Sequence, residues 1–143
     1  MGYLTGAGII WGHERTGWMQ QGTDMGDRTE DVFTVERPWG QFRQFVGNET
    51  VTVKIITVEP GHRLSLQRHR HRSEMWHVVD GPVEVLVDGA RWTAETGQDV
   101  WVPNGSTHRL GNPGRRPARV LEVAFGDFDE ADIERLEDDY TRY

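Results

Sequence analysis

Alternating apolar and polar residues between positions 32 and 125 constrain the fold of this chain more than any other feature. The alternating segments are short, and residues that favour tight turns separate them. They are residues 51–58, 64–70, 75–79, 83–87, 100–102 and 120–125. A period of two puts every second side chain on the same face of a β-strand, and Asp88-Gly89 is a strong hairpin signal. Many short strands without helical segments between them predict an all-β sandwich or barrel.

The two ends of the chain differ from this middle part. Residues 1–30 are rich in Gly, Thr, Gln and Asp and have no sustained periodicity, which predicts an N-terminal extension before a domain spanning residues 31–143. Near the C-terminus, Leu136 and Tyr140 follow Ile133 at intervals of three and seven. Asp129 is a suitable residue to cap a helix there. We therefore predict a β domain that ends in a short C-terminal helix.

The composition restricts the partners and the chemistry. A chain of 143 residues suits one domain with its own core, and the absence of cysteine leaves nitrogen and oxygen atoms as metal ligands. The formal net charge of −7 disfavours nucleic acid and anionic membranes as partners. No stretch approaches the roughly 20 apolar residues of a membrane span, and the N-terminus does not resemble a signal peptide. A cytoplasmic protein is expected.

Four of the six histidines fall between positions 62 and 77. If residues 65–71 form a strand, Gln67, His69 and His71 share one face of it. Glu74 begins the next strand, and His108 follows a Pro-Asn-Gly turn further along the chain. Imidazole and amide groups on one strand face do not build an apolar core, whereas they are good metal ligands.

Two sequence patterns make this interpretation specific. Residues 61–81 read G-x5-Q-x-H-x4-E-x6-G, and residues 97–112 read G-x5-P-x-G-x2-H-x3-N. These patterns resemble the two motifs of the cupins, with a glutamine in place of one histidine. The resemblance implies a double-stranded β-helix, or jelly-roll barrel, that binds one divalent metal ion. Zinc is the first expectation, while manganese, iron or nickel would also fit. The implied ligands are Gln67, His69, Glu74 and His108.

Longer segments are similar to the type II mannose-6-phosphate isomerases. They are residues 37–40, 65–76, 108–114, 121–123 and 131–138, and the similarity extends over about residues 34–143. It implies interconversion of mannose 6-phosphate and fructose 6-phosphate. The guanylyltransferase domain that often accompanies this domain does not fit within the chain length. Ile55 and Ala124 stand where the family usually has arginine and glutamine, which leaves room for a different sugar or reaction.

The implied isomerisation requires phosphate contacts and a proton-transferring group. The resemblance suggests Lys54, Arg72 and Arg109 as substrate contacts, since fixed cations suit a phosphate. Glu74, Lys54 and His71 are the candidates for moving the proton.

Other readings of the sequence stay open. A cupin of this size could be a sugar-nucleotide epimerase, an iron-dependent dioxygenase or a sugar-binding module without catalytic activity. An exposed barrel edge and the tryptophans of the extension also suggest a homodimer.

Overall fold

The structure is a computed structural model that describes residues 26–140, and strands account for nearly all of its regular structure. A 3₁₀ helix, Arg28–Asp31, precedes the first strand. The strands are β1 (Phe33–Arg37), β2 (Gly40–Gln44), β3 (Thr52–Val58), β4 (Leu66–Arg68), β5 (Arg72–Asp80), β6 (Val83–Val87), β7 (Ala90–Ala94), β8 (Asp99–Val102), β9 (His108–Gly111), β10 (Ala118–Gly126) and β11 (Glu134–Glu137). The predicted all-β fold is confirmed.

Two antiparallel sheets enclose the main core. One has the strand order β3-β10-β5-β8, and the other has the order β11-β4-β9-β6-β7. Trp76, Val78 and Val120 from the first sheet pack with Val85 and Leu110 from the second, and all five side chains are buried. The inward residues therefore come from alternate positions on both sheets, as the period-two pattern predicts.

The N-terminal part of the described chain covers the outer face of the four-stranded sheet. Met75, Val123 and Phe125 point to that face, where Phe45 and Val46 pack against them. The guanidinium of Arg28 lies 4.6 Å from the centre of the Phe125 ring. These contacts seal the second face of β5 and β10, so the two strands are buried on both sides.

The predicted C-terminal helix is wrong. Residues 134–137 form β11, which pairs antiparallel with β4 and places Glu134 opposite Arg68. The Asp132 carboxylate accepts hydrogen bonds from the backbone N–H groups of Arg70 and His71, which fixes the chain beside the end of β4. An edge strand has backbone groups that need partners, and an isolated helix of three turns is marginal. Pairing with a distant strand therefore overrides the local spacing.

The structure contains no helix, among residues 26–140, that has the length and apolar character of a membrane span. The part of the predicted extension before residue 26 lies outside the described residues.

Candidate metal centre

Three of the four predicted ligands meet inside the barrel. His69 follows β4, Glu74 lies on β5 and His108 begins β9, so the two sheets contribute to one site. Their candidate ligand atoms lie within 4.8 Å of one another, and each residue is at most 2% exposed. The Nε2 atoms of His69 and His108 lie 3.1 and 3.7 Å from the two carboxylate oxygens of Glu74.

Backbone carbonyl groups orient both imidazoles. His69 Nδ1 donates to the Asp132 carbonyl oxygen over 2.7 Å, and His108 Nδ1 donates to the Ser106 carbonyl oxygen over 2.9 Å. Because a carbonyl only accepts, each Nδ1 carries the ring proton and each Nε2 turns a lone pair towards Glu74. A lone pair that faces a carboxylate oxygen is unfavourable unless a cation lies close to both.

His108 provides a test of whether a metal fits. Its Nε2 is a buried atom for which no hydrogen-bond partner exists among the described residues. An unsatisfied buried polar atom is costly, and a metal bond would satisfy it. Burial lowers the pKa of His108 in spite of the nearby Glu74 charge, so the ring tends towards the neutral form that ligates metal.

Gln67 lies beside this cluster. It pairs with His108 across β4 and β9, and its Nε2 is 3.5 Å from His69 Nε2. Its Oε1 accepts a hydrogen bond from the Ser65 hydroxyl over 2.8 Å. Rotating the amide by half a turn exchanges the two atoms and brings the oxygen to the cluster. The donor set of two imidazoles, one carboxylate and one amide oxygen therefore suits a divalent cation of the zinc class.

Glu74 is held as a carboxylate. Trp76 Nε1 donates to Oε2 and Arg72 Nε donates to Oε1, each over 3.1 Å. Burial by itself raises the pKa of Glu74, but its contacts with His69, His108 and Arg72 lower it to about 2. The cluster thus contains a negative charge at neutral pH, which favours a bound cation.

Two of the predicted substrate-binding cations lie near the cluster. Arg72 is buried, and its Nη2 donates to His69 Nε2 over 3.2 Å. Lys54 is half-exposed, with Nζ 3.3 Å from the Glu130 carboxylate. The Phe128 ring lies between them, 4.2 Å from Lys54 Nζ and 4.3 Å from the Arg72 guanidinium carbon. Both cations therefore border one region at the mouth of the barrel.

The structure does not bring His71 and Arg109 to the cluster. His71 is exposed, because β4 ends at Arg68 and the alternation of side chains does not continue to position 71. Arg109 follows the inward His108 and so points to the opposite face of the sheet. There its Nη1 pairs with the Glu137 carboxylate over 3.1 Å. Ile55 is also directed outward and is 54% exposed.

Sequence reasoning missed two features of the site. Glu122 is buried on the inward face of β10, and a charged residue between the buried Val120 and Ala124 was a visible signal for it. The second feature is the covering segment, residues 127–132, which contacts His69 and Arg72 through carbonyl groups of Asp132 and Asp129. No local pattern indicates this path.

Known proteins match most of the chain. The profile of the family described as "Mannose-6-phosphate isomerase C-terminal" matches residues 25–138. The alginate biosynthesis protein AlgA of Pseudomonas aeruginosa is 44% identical over 115 residues, covering 80% of this chain and 24% of AlgA. The mannose-1-phosphate guanylyltransferase ManC of Salmonella typhimurium is 41% identical over 109 residues, covering 76% of this chain and 23% of ManC. The chain thus spans about a quarter of the length of these relatives.

The fold is also found in solved structures. A conserved protein with a double-stranded β-helix domain from Klebsiella pneumoniae has a TM-score of 0.54 and 22% sequence identity. The match covers 61% of this chain and 75% of that protein. The predicted cupin fold is therefore confirmed. The family match over residues 25–138 shows that this chain belongs to the mannose-6-phosphate isomerase C-terminal family.

Proposed function

We propose that this protein is a metal-dependent aldose–ketose isomerase that interconverts mannose 6-phosphate and fructose 6-phosphate. The observation that carries the proposal is the buried cluster of His69, Glu74 and His108, with an unsatisfied imidazole nitrogen, beside the cations Lys54 and Arg72. Membership of the isomerase family supports the choice of reaction.

The cluster residues and Gln67 would hold the metal. A bound divalent ion would polarise the carbonyl and hydroxyl oxygens of the open-chain sugar, which acidifies the hydrogen between them. Arg72 and Trp76 hold the Glu74 carboxylate in one orientation. The carbonyls of Asp132 and Ser106 do the same for the two imidazoles. Such fixed ligand orientation is what a reactive metal site requires.

Lys54 is the better placed of the two cations to contact the sugar phosphate. Its present partner, Glu130, is 76% exposed, and an exposed ion pair contributes little to stability. A sugar phosphate can therefore replace Glu130 at Lys54 at little cost. Arg72 already makes hydrogen bonds to Glu74, His69 and the Asp129 carbonyl, so it positions ligands and supplies positive charge.

A coupled assay tests the proposal directly. The purified protein, stripped of metal and reloaded with Zn²⁺, Mn²⁺, Fe²⁺ or Ni²⁺, is given mannose 6-phosphate, and fructose 6-phosphate formation is followed. We expect His69→Ala and His108→Ala to lose both bound metal and turnover. His77→Ala is the matched control, because His77 pairs with Asp99 away from the cluster.

Two results would contradict the proposal at different levels. Absence of turnover with all four ions in a folded protein would rule out the isomerase. Metal content that survives both cluster substitutions would rule out the metal site itself.

A further inference from the structure

Glu122 is a buried carboxylate inside the barrel that takes no part in the metal cluster. It lies on β10, where its neighbours in register are Lys54 on β3 and Trp76 on β5. The residue is 5% exposed, and the inward residues on either side of it, Val120 and Ala124, are apolar. A carboxylate in such surroundings is rare unless it is paired or has a function.

The Glu122 carboxylate is incompletely satisfied. Its Oε1 is buried and has no hydrogen-bond partner among the described residues. The Lys54 ammonium is a charge partner at 3.8 Å, beyond hydrogen-bonding distance. Lys54 forms a shorter contact with Glu130, at 3.3 Å. One carboxylate oxygen is thus available to a ligand that enters the barrel.

The register places Glu122 at the edge of the metal cluster. Ala124 is directly opposite Glu74, so Glu122 is the diagonal neighbour of Glu74 on the same face. Diagonal neighbours on adjacent strands are about 7–8 Å apart, with Cβ atoms somewhat closer. On this face Ala124 presents only a methyl group beside the two carboxylates. A substrate held at the cluster would therefore have its reacting carbons near Glu122.

The two carboxylates differ in their availability. Glu74 is committed to Trp76, Arg72 and the two imidazoles. Burial and the Glu74 charge raise the pKa of Glu122 to about 7, against the opposing charges of Lys54, Arg72 and His69. A group with a pKa near neutrality can both accept and return a proton at that pH.

We propose that Glu122 is a catalytic residue of the isomerase, moving the proton between C2 and C1 of the open-chain sugar phosphate, with Lys54 serving the oxygens. This inference rests on the proposed isomerase function. It identifies a residue that none of the sequence patterns assigned to the reaction.

The proton transfers form a closed cycle. The Glu122 carboxylate takes the hydrogen of C2 as a proton, the C–H electron pair forms the C1=C2 bond, and O1 takes a proton from the Lys54 ammonium. The Lys54 amine then removes the proton of O2, C2 becomes the carbonyl carbon, and C1 takes the proton held by Glu122. Both side chains return to their starting states. The net change is transfer of one hydrogen from C2 to C1 and one from O2 to O1.

The test compares Glu122→Gln with wild type in the metal-loaded protein, using Glu84→Gln as the matched control. Glu84 is half-buried on β6 and pairs with Arg91. Turnover, metal content and the Kd for mannose 6-phosphate are measured, and loss of the C2 hydrogen signal is followed by NMR in D₂O. We expect Glu122→Gln to lower kcat by about 10²–10⁴-fold and to slow C2 exchange equally. Metal content and Kd should stay within about threefold, since the shape of the side chain is kept.

Three outcomes would overturn the inference. In the first, the wild type is active and the Glu122→Gln variant has turnover within about threefold of the wild type. The isomerase function then stands, and the catalytic role of Glu122 does not. If Glu122→Gln does not fold, Glu122→Asp is tested instead, because moving the base by about 1 Å should cost roughly 10²-fold in rate. The second outcome is a Glu122→Asp variant with wild-type kcat. The third is a folded, metal-loaded wild type without turnover, which removes the proposed function and this inference together.

Discussion

Arg72 and Glu74 form an ion pair in the interior of the barrel, with Arg72 Nε 3.1 Å from Glu74 Oε1 and side chains that are 4% and 2% exposed. The two residues are separated by one position on β5, so both point to the inner face. Arg72 thereby keeps the metal-binding carboxylate charged and fixed. This pairing is a positioning role, and it occupies the guanidinium that the sequence suggested for the substrate.

Loss of Arg72 should destabilise the fold strongly. Removing one partner of a buried ion pair leaves an uncompensated charge, and the usual cost is about 3–5 kcal/mol. Arg119, which pairs with Asp80 where both side chains are about half exposed, is the matched control. Its replacement should cost no more than about 1 kcal/mol. Urea unfolding of metal-free Arg72→Ala and Arg119→Ala measures both values, and equal losses would contradict the prediction.

Glu122 should make the stability of the metal-free protein depend on pH. The pKa of Glu122 is about 7 in the folded protein, above the ordinary value of 4.5. Between these two pH values the folded protein therefore keeps the Glu122 proton, whereas the unfolded chain has lost it. Stability therefore falls as pH rises through that window, by about 3 kcal/mol in total. Glu122→Gln should lack this loss.

The measurement is the free energy of unfolding at pH 5 and pH 8 for both proteins without metal. The charges of Lys54, Arg72, Glu74 and His69 face Glu122 and contribute in both variants, so only the difference between the variants is interpreted. Parallel pH dependence in wild type and variant would show that the folded pKa of Glu122 is not raised.

Gln67 should contribute to metal affinity as the fourth ligand. We expect Gln67→Ala to weaken zinc binding by about 10-fold or more, since even residues that only orient ligands have effects of 10–100-fold. Competition with a chelator of known affinity measures the change. Gln41→Ala, on the exposed face of the β1–β2 hairpin, should bind zinc as wild type does. Equal zinc affinity in wild type, Gln67→Ala and Gln41→Ala would mean that the Gln67 amide is not a metal ligand.

Substitution of Lys54 and substitution of Arg109 should have different effects on KM for the substrate. Lys54→Met should raise KM for mannose 6-phosphate by about 10-fold or more and should also lower kcat, because it removes a cation that contacts the substrate and moves a proton between its oxygens. Arg109→Met should destabilise the protein by about 1–3 kcal/mol and leave KM within about twofold, because Arg109 pairs with Glu137 on the far face. A large change in KM for Arg109→Met would support the role that the sequence suggested for it.

Local patterns predicted most of the strands, and the resemblance to the two cupin motifs predicted the ligands of the metal cluster. Asp88 and Gly89 have positive φ angles of 48° and 83°, as a two-residue hairpin turn between β6 and β7 requires. His69 and His108 meet because β4 pairs with β9, and Glu74 comes from β5 in the other sheet. The turn depends on neighbouring residues, whereas the cluster was predicted from the two motifs.

Features that depend on distant pairing were not predictable in this way. β11 forms because β4 has a free edge, while the spacing of Ile133, Leu136 and Tyr140 suggests a helix. His71 leaves the inner face because β4 ends early. The expected homodimer and cytoplasmic location stay predictions, as does the identity of the metal.

The main-chain acceptors that orient His69 and His108 have an evolutionary consequence. Substitution at Ser106 leaves its carbonyl oxygen in place, so this position can drift without removing the hydrogen bond to His108. At Asp132 the carbonyl also stays, but its carboxylate additionally binds the backbone N–H groups of Arg70 and His71. An insertion or deletion between Gly126 and β11 would instead displace the Asp132 carbonyl from His69. Descendants of this chain should therefore tolerate changes of residue type in the covering segment more readily than changes in its length.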